Sequence, residues 1–242
     1  MKGSLVKPWS FPLPADARGR FLERPNRFLA LVEHQGEVLE VHVHDPGRLP
    51  QVLKPGSSVL IKHRPGLKRR TSWDLLAGQA AGHWVFTHSG FHRPLSQALL
   101  QEIGPQIFPG LKDFKAEPRI KDGRLDYVFQ MEAGPQVFVE IKGCTLAQGE
   151  KALFPDAPTQ RGAKHLRSLI DLKRKGLRAL LWLLVFRPET TCFAPAEKVD
   201  LTFAQVFYEA LEAGVELKIL QFSYDGQALT LHRELPLCPS GL

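Results

Sequence analysis

The chain has 242 residues, enough for one large domain or two small ones with a proper core. Hydrophobic residues make up 43% and charged residues 24%, ordinary globular usage that excludes disorder as the default. A formal net charge of +7 favours polyanionic partners, namely DNA, RNA or an anionic membrane surface. The three cysteines, Cys144, Cys192 and Cys238, are odd in number, widely spaced and without a CxxC pair. The expectation is no disulfide and no cysteine-built zinc site. The first twenty residues lack an apolar stretch with a cleavage site, and the longest apolar run, 179–186, is too short to cross a bilayer. A soluble chain in a reducing cytoplasm, without membrane association, is expected.

In chain order, residues 1–20 are rich in Pro, Arg and Gly and read as a loosely ordered lead-in. From Phe21 to about Val85, short alternating runs are broken by turns. RFLALVE and EVLEVHV form a hairpin around Gln35-Gly36, and Asp45-Pro46-Gly47 is a turn. SSVLIKH, TSWDLLAG and GHWVFTH complete five strands, the number and size of an OB-type barrel. After His88 the period changes. RPLSQALLQEI has helical spacing, with Leu95, Leu99, Leu100 and Ile103 on one face. Strands follow at 117–120, 124–131 and 136–141, with turns at Asp122-Gly123 and Ala133-Gly134. The spacing then predicts a helix over 159–175 with Gly176 at its C-cap. ALLWLLVF is continuous enough for a fully buried strand. A helix at 203–213 ending at Gly214, and two strands around Asp225-Gly226, finish an α/β sandwich. The fold class is therefore α/β (α+β), with a barrel over 1–87 and an α/β domain over 88–242.

The chemistry concentrates in that second part. Glu140 and Lys142 lie two apart in VFVEIKG, so they share a strand face, and Asp126 in RLDYVF sits on the neighbouring hairpin strand. Two convergent carboxylates suit Mg²⁺ or Mn²⁺, which prefer oxygen ligands, and the backbone carbonyl of Ile141 can add a third. A lysine beside them can hold a scissile phosphate or help activate water. In the helix that follows, Thr159 is a candidate N-cap. Arg161, Lys164 and His165 share a face in the first turns, which suits a bound phosphate and disfavours the helix alone. In the barrel, Arg64, Lys68, Arg69 and Arg70 cluster in one loop near Trp73, as OB-type domains that hold single strands do. Of nine histidines, only His42 and His44 share a strand face and no second pair has ligand spacing, so no zinc site is expected. Cys144 reads as a small packing residue, and Trp182 and Phe186 as core.

The motifs LDY…VEIKGCTL and FPDAPTQRGAKHLRSLI, with AGVEL near the end, resemble the sugar fermentation stimulation protein A family. NRFLALVE, VHVHDPGRL, PGSSVLIKH and KRRTSWDLL in the first half carry the same resemblance. It implies an N-terminal OB-like domain joined to a PD-(D/E)XK nuclease-like domain, DNA binding, and a role in regulating sugar utilisation. By that resemblance Asp126 and Glu140 correspond to metal ligands and Lys142 to the catalytic lysine. Glu102, Glu117 and Asp156 are secondary candidates for a further acid. The chain departs from the family pattern at Val43–Gly47, Gln160 and Arg93, so contacts from those positions are not carried over. The expectation is a DNA-binding protein, of single or double strands with RNA as a further candidate, carrying a metal-dependent phosphodiesterase site. The alternatives are a non-catalytic DNA-binding regulator of sugar-utilisation genes, and a sugar or nucleotide sensor using the barrel. Oligomeric state is not legible.

Overall fold

The structure is a computed structural model that describes residues 8–120 and 123–239. The elements in chain order are β1 (Ser10–Pro12), β2 (Ala17–Asn26), β3 (Leu29–His34), β4 (Glu37–His42), β5 (Ser58–His63), β6 (Trp73–Ala80) and β7 (His83–Phe86). There follow α1 (His92–Ile107), β8 (Leu111–Ala116), β9 (Arg119–Ile120), β10 (Gly123–Arg124), β11 (Tyr127–Met131), β12 (Val137–Cys144), β13 (Leu146–Gln148) and β14 (Lys151–Phe154). Last come α2 (Gln160–Arg174), β15 (Arg178–Val185), β16 (Cys192–Pro195), α3 (Leu201–Glu212), β17 (Glu216–Tyr224) and β18 (Ala228–Glu234).

Five strands close the barrel in the order β4-β3-β2-β5-β6, and β4 returns to β6 through Val41↔Trp73 and His42↔Asp74. The barrel strand set differs from the expected one by one member at each end. Residues 17–26 form β2, paired with both β3 and β5, where a loose lead-in is expected. ARGRFLERPN has no apolar alternation, and only Phe21 is buried, so nothing but strand pairing reveals it. The fifth expected strand, β7, instead pairs with β6 on one side and meets β17 at Trp84↔Tyr224. β1 likewise pairs with β18. The barrel and the second half therefore share one 13-stranded sheet.

The second half is built on β8-β11-β12-β15-β17, with β12, β15 and β17 parallel. β15 is buried on both faces, as its unbroken apolar run requires. Its alternate residues divide between two cores. Leu180, Trp182 and Leu184 face α1 and the barrel, whereas Leu181, Leu183 and Val185 face α2 and α3. Leu166, Leu169 and Ile170 form the buried stripe of α2, each contributing about 1.5–3 kcal/mol by burial. Thr159 caps that helix by accepting from Gly162 N at 3.0 Å, and Gly176 ends it at φ +76. Asp200 caps α3 through Phe203 N and also accepts from Thr159 N at 2.7 Å, so one carboxylate holds both helix starts. β8 has no period-two alternation and the strands of the small sheet β13-β14-β16 are only three or four residues long, so neither is read from sequence. The turn expected at Asp122-Gly123 falls partly on residue 122, outside the described residues.

Two of the cysteines correct the expectation of no disulfide. Cys192 and Cys238 are bonded across a sequence separation of 46, with Cα atoms 4.9 Å apart. The C-terminal segment lies along β16, with Cys238 N donating to Phe193 O at 2.8 Å and Leu237 bridging Phe193. Cysteine count and spacing cannot anticipate that tertiary pairing. Cys144 is free and fully buried, a packing residue. No helix among the described residues is long and apolar enough to cross a membrane.

Two polar clamps fix the barrel to the second half. Asp156 accepts from Leu49 N at 2.8 Å, across the Asp45-Pro46-Gly47 turn. Asp45 accepts from Gly47 N at 2.7 Å, and Arg24 donates to the carbonyls of Gly47 and Asp45 at 2.7 and 2.9 Å. Burial, reinforced by Asp156, pushes the Asp45 carboxyl up to about 6. In the second clamp, Gln51 pairs both ways with the backbone of Ala147 and accepts from the buried Arg187 at 2.7 Å. A Cβ at Gly47 would collide with the Asp156 carboxylate. Gly47→Ala should therefore cost about 1–3 kcal/mol, read as a lowered urea midpoint, whereas Gly36→Ala strains only an open turn and leaves the clamp intact.

Candidate active site

Glu140 and Lys142 stand on the face of β12 that α2 covers, in register with Leu181 and Leu183 of β15. Val139 and Ile141 point into the opposite core. The strand therefore places a carboxylate, 3% exposed, beneath the first turns of a helix. Lys142 Nζ and His165 Nδ1 both contact the same oxygen, Glu140 Oε1. Lys142 Nζ and His165 Nδ1 are 3.5 Å apart, and Arg161 Nε donates to His165 Nε2 at 3.5 Å. Asp126 joins from the next strand, where its Oδ2 accepts from Ile141 N at 2.6 Å. Four of the five residues are thus tied by direct side-chain contacts, and Asp126 is tied through the backbone amide of Ile141.

The electrostatics separate the two acids. For Glu140, burial works to raise the pKa, but the hydrogen bond from His165 and the charge of Lys142 outweigh it, so the group is held below its ordinary range. For Asp126, burial and then the negative charge of Glu140 raise the pKa, only partly opposed by the Ile141 amide and Lys142. One carboxylate is ionised and paired, and its neighbour is short of positive charge. A divalent cation would supply the missing charge, and two neighbouring carboxylates are the oxygen donors a hard metal prefers.

The other expected residues divide. Lys164 lies exposed on the same helix, one turn of chain from Arg161. Glu117 is near Asp126 in the backbone, with its N–H donating to Asp126 O at 2.9 Å, but its side chain pairs with Arg93 at 2.8 Å and Arg124 at 3.7 Å. Glu102 accepts from Trp9 Nε1 at 2.9 Å and belongs to the packing of the N-terminal segment. Asp156 belongs to the barrel clamp. In the barrel loop, Arg69 is bound to the fully buried Asp74, with Nη1 at 3.3 Å from Oδ2, and Arg64 Nε lies 3.9 Å away. Lys68 and Arg70 remain exposed to solvent.

Sequence reasoning missed His92. It stacks on Phe186 at 5.5 Å between ring centroids and lies against Gly143, where a Cβ would collide with its ring. Burial first, then the charges of His88 and Lys142, push it down to about 4, so it is neutral at pH 7. It packs beside the lysine without adding charge. The one available signal was the glycine directly after Lys142, a close approach that only the fold explains.

A family model described as "Sugar fermentation stimulation protein RE domain" matches residues 90–228, and one for the "SfsA N-terminal OB domain" matches residues 22–87. The chain belongs to the sugar fermentation stimulation protein family. A homolog from Thermotoga petrophila is 41% identical over 226 residues, covering 93% of this chain and 97% of that one. A homolog from Methanococcoides burtonii is 37% identical, covering 93% and 94%. A solved structure of Pyrococcus furiosus SfsA in complex with Ca²⁺ matches with a TM-score of 0.85 at 29% identity, over 94% of this chain and 98% of that one. The expected architecture, an OB-like barrel followed by a nuclease-like α/β domain, is that of the SfsA family.

The opposite pKa shifts give opposite pH dependences. Glu140, held low, contributes stability that is present above its ordinary pKa and is lost as pH falls through its folded value. Asp126, held high, contributes stability that is present below its ordinary pKa and is lost as pH rises through its folded value. At pH 7, Asp126→Asn should therefore raise the melting temperature and Glu140→Gln should lower it. Thermal melts from pH 3 to 8 check both. Parallel pH profiles for the two variants would contradict this assignment of charge.

Proposed function

We propose that this SfsA protein is a divalent-metal-dependent phosphodiesterase acting on DNA, single- or double-stranded, with RNA as a further substrate to test. The observation that carries the reading is the pair of acids on adjacent strands, one paired with Lys142 and His165 and the other under-neutralised. Asp126 and Glu140, with the Ile141 carbonyl, would hold Mg²⁺ or Mn²⁺. That the Pyrococcus furiosus relative is in complex with Ca²⁺ supports a hard divalent ion, which prefers oxygen donors. Such a metal lowers the pKa of bound water and neutralises phosphate charge when present.

The chain's own residues do the rest. Lys142 is within hydrogen-bonding reach of Glu140 and stands where its ammonium can pass to a scissile phosphate oxygen. Arg161 and Lys164 present cations at the N-terminal end of α2, and His165 is aligned with them by accepting from Arg161 at 3.5 Å. There the unpaired amides also favour an anion. Lys68 and Arg70 of the barrel loop would track the backbone further out. The net charge of +7 draws the polyanion to both.

A second reading, a DNA-binding protein without turnover, is favoured by one observation. Glu140 Oε1 is already held by two donors, which a metal must displace or share. Incubation of labelled single- and double-stranded DNA and RNA with Mg²⁺, Mn²⁺ or chelator separates the two. Cleavage should need the metal and fall by a factor of about 100 or more in Glu140→Ala and Lys142→Ala. Absence of cleavage of every substrate, with binding retained, would favour the second reading. Binding is measured apart from turnover, in chelator. Arg161→Ala and Lys164→Ala should each lower the slope of log affinity against log salt by about one, if each residue neutralises one phosphate.

A further inference from the structure

The barrel holds a second cluster, away from Asp126 and Glu140, that the nuclease reading does not use. Asp74 lies on β6 at the point where β4 closes the barrel, and it is completely buried. His44 follows the end of β4 and His88 follows the end of β7. His44 Nε2 lies 3.2 Å from Asp74 Oδ1, and His88 Nε2 lies 3.6 Å from Asp74 Oδ2. One donor atom from each residue falls within 4.8 Å of the others. Neither imidazole makes a well-formed hydrogen bond through these atoms: His44 Nε2 and both nitrogens of His88 are buried without one. Buried imidazole nitrogens without a well-formed hydrogen bond are costly, and two of them, one from each histidine, converge on one carboxylate, which suits a cation between them.

We infer that His44, Asp74 and His88 form a binding site for a borderline divalent transition metal such as Zn²⁺. Two imidazoles and one carboxylate are a zinc donor set, and they favour Zn²⁺ or Co²⁺ over the oxygen-preferring Mg²⁺ and Ca²⁺. The separations of 3.2 and 3.6 Å run to the two different oxygens of Asp74, so the carboxylate presents one oxygen toward each imidazole. Three protein ligands leave a fourth position. His44 also borders a cleft of about 660 Å³ lined by Phe28, His42 and Arg70, so that position has an approach from solvent. This proposal departs from the sequence expectation of no zinc site. The second histidine of the set comes from beyond β7, and the carboxylate from β6, so no local spacing could show them together.

Arg69 is the built-in competitor. Its guanidinium holds Asp74 when no metal is bound, and it is partly exposed, with Nε also donating to Thr71 O at 3.2 Å. Metal binding therefore exchanges one cation for another at the same buried carboxylate. This gives the test a variant with the opposite sign. Full-length protein carrying Asp126→Asn and Glu140→Ala, stripped with chelator, is titrated with Co²⁺ and then Zn²⁺. One equivalent of Co²⁺ should bind with visible ligand-field absorption, and Zn²⁺ should displace it. His44→Gln and His88→Gln should each weaken binding at least about tenfold. Arg69→Ala, which removes no ligand, should tighten it and so reads the site even where a histidine variant misfolds. No Co²⁺ bound in that background would overturn the assignment, as would affinity unmoved by the histidine changes or lowered by Arg69→Ala. Failure here leaves the DNA-cleavage reading untouched, because the two sites share no residue.

Discussion

A carboxylate buried at 3% exposure in the middle of a mixed sheet is the constraint around which the second half of this protein is arranged. Glu140 sits on β12 between residues that pack into hydrophobic cores, where an isolated charge is unstable. Its compensation comes from two directions. Lys142 stands two residues along on the same strand face, and His165 comes down from α2. The second donor depends on the helix being seated correctly. That in turn depends on the Thr159 cap, on Asp200 holding Thr159, and on Leu166 and Leu169 packing beneath. The electrostatics of one residue are thus underwritten by the packing of a whole layer.

The same logic runs through the join between the halves. A barrel docked by surface contacts alone would be free to move. Here β1 and β7 extend its sheet into the other, and Asp156 and Arg187 reach across with partly buried hydrogen bonds. Buried polar clamps are stable only when fully satisfied, and these involve backbone amides and carbonyls that would otherwise lack partners. His92 feels both His88 of the Asp74 cluster and Lys142, so the barrel contributes to the surroundings of the second half's site.

Barrel identity, helix positions and the central apolar strand were legible because they rest on local period and turn chemistry. The Gln35-Gly36 hairpin, the period-3.6 stripe of α2 and the continuous run of β15 are signals within a few residues. The acid–lysine set was legible for the same reason: a period of two puts Glu140 and Lys142 on one face wherever the strand lies. What stayed hidden has little local pattern. β2 is polar, β1 is three residues long, and the β13-β14-β16 sheet gains its order from pairing.

The sequence by itself determined the alternation of elements, the side-chain chemistry available, and the family. Tertiary structure alone decided which distant groups meet. Cys192 found Cys238 because the C-terminus runs along β16. His44, Asp74 and His88 met because the barrel closes there. Glu102 and Asp156 were drawn away from Asp126 by Trp9 and Leu49. The physical reason is common to all three. Period and propensity act over a few residues of chain, whereas burial and hydrogen bonding act over a few ångströms of space, and only the fold converts one distance into the other.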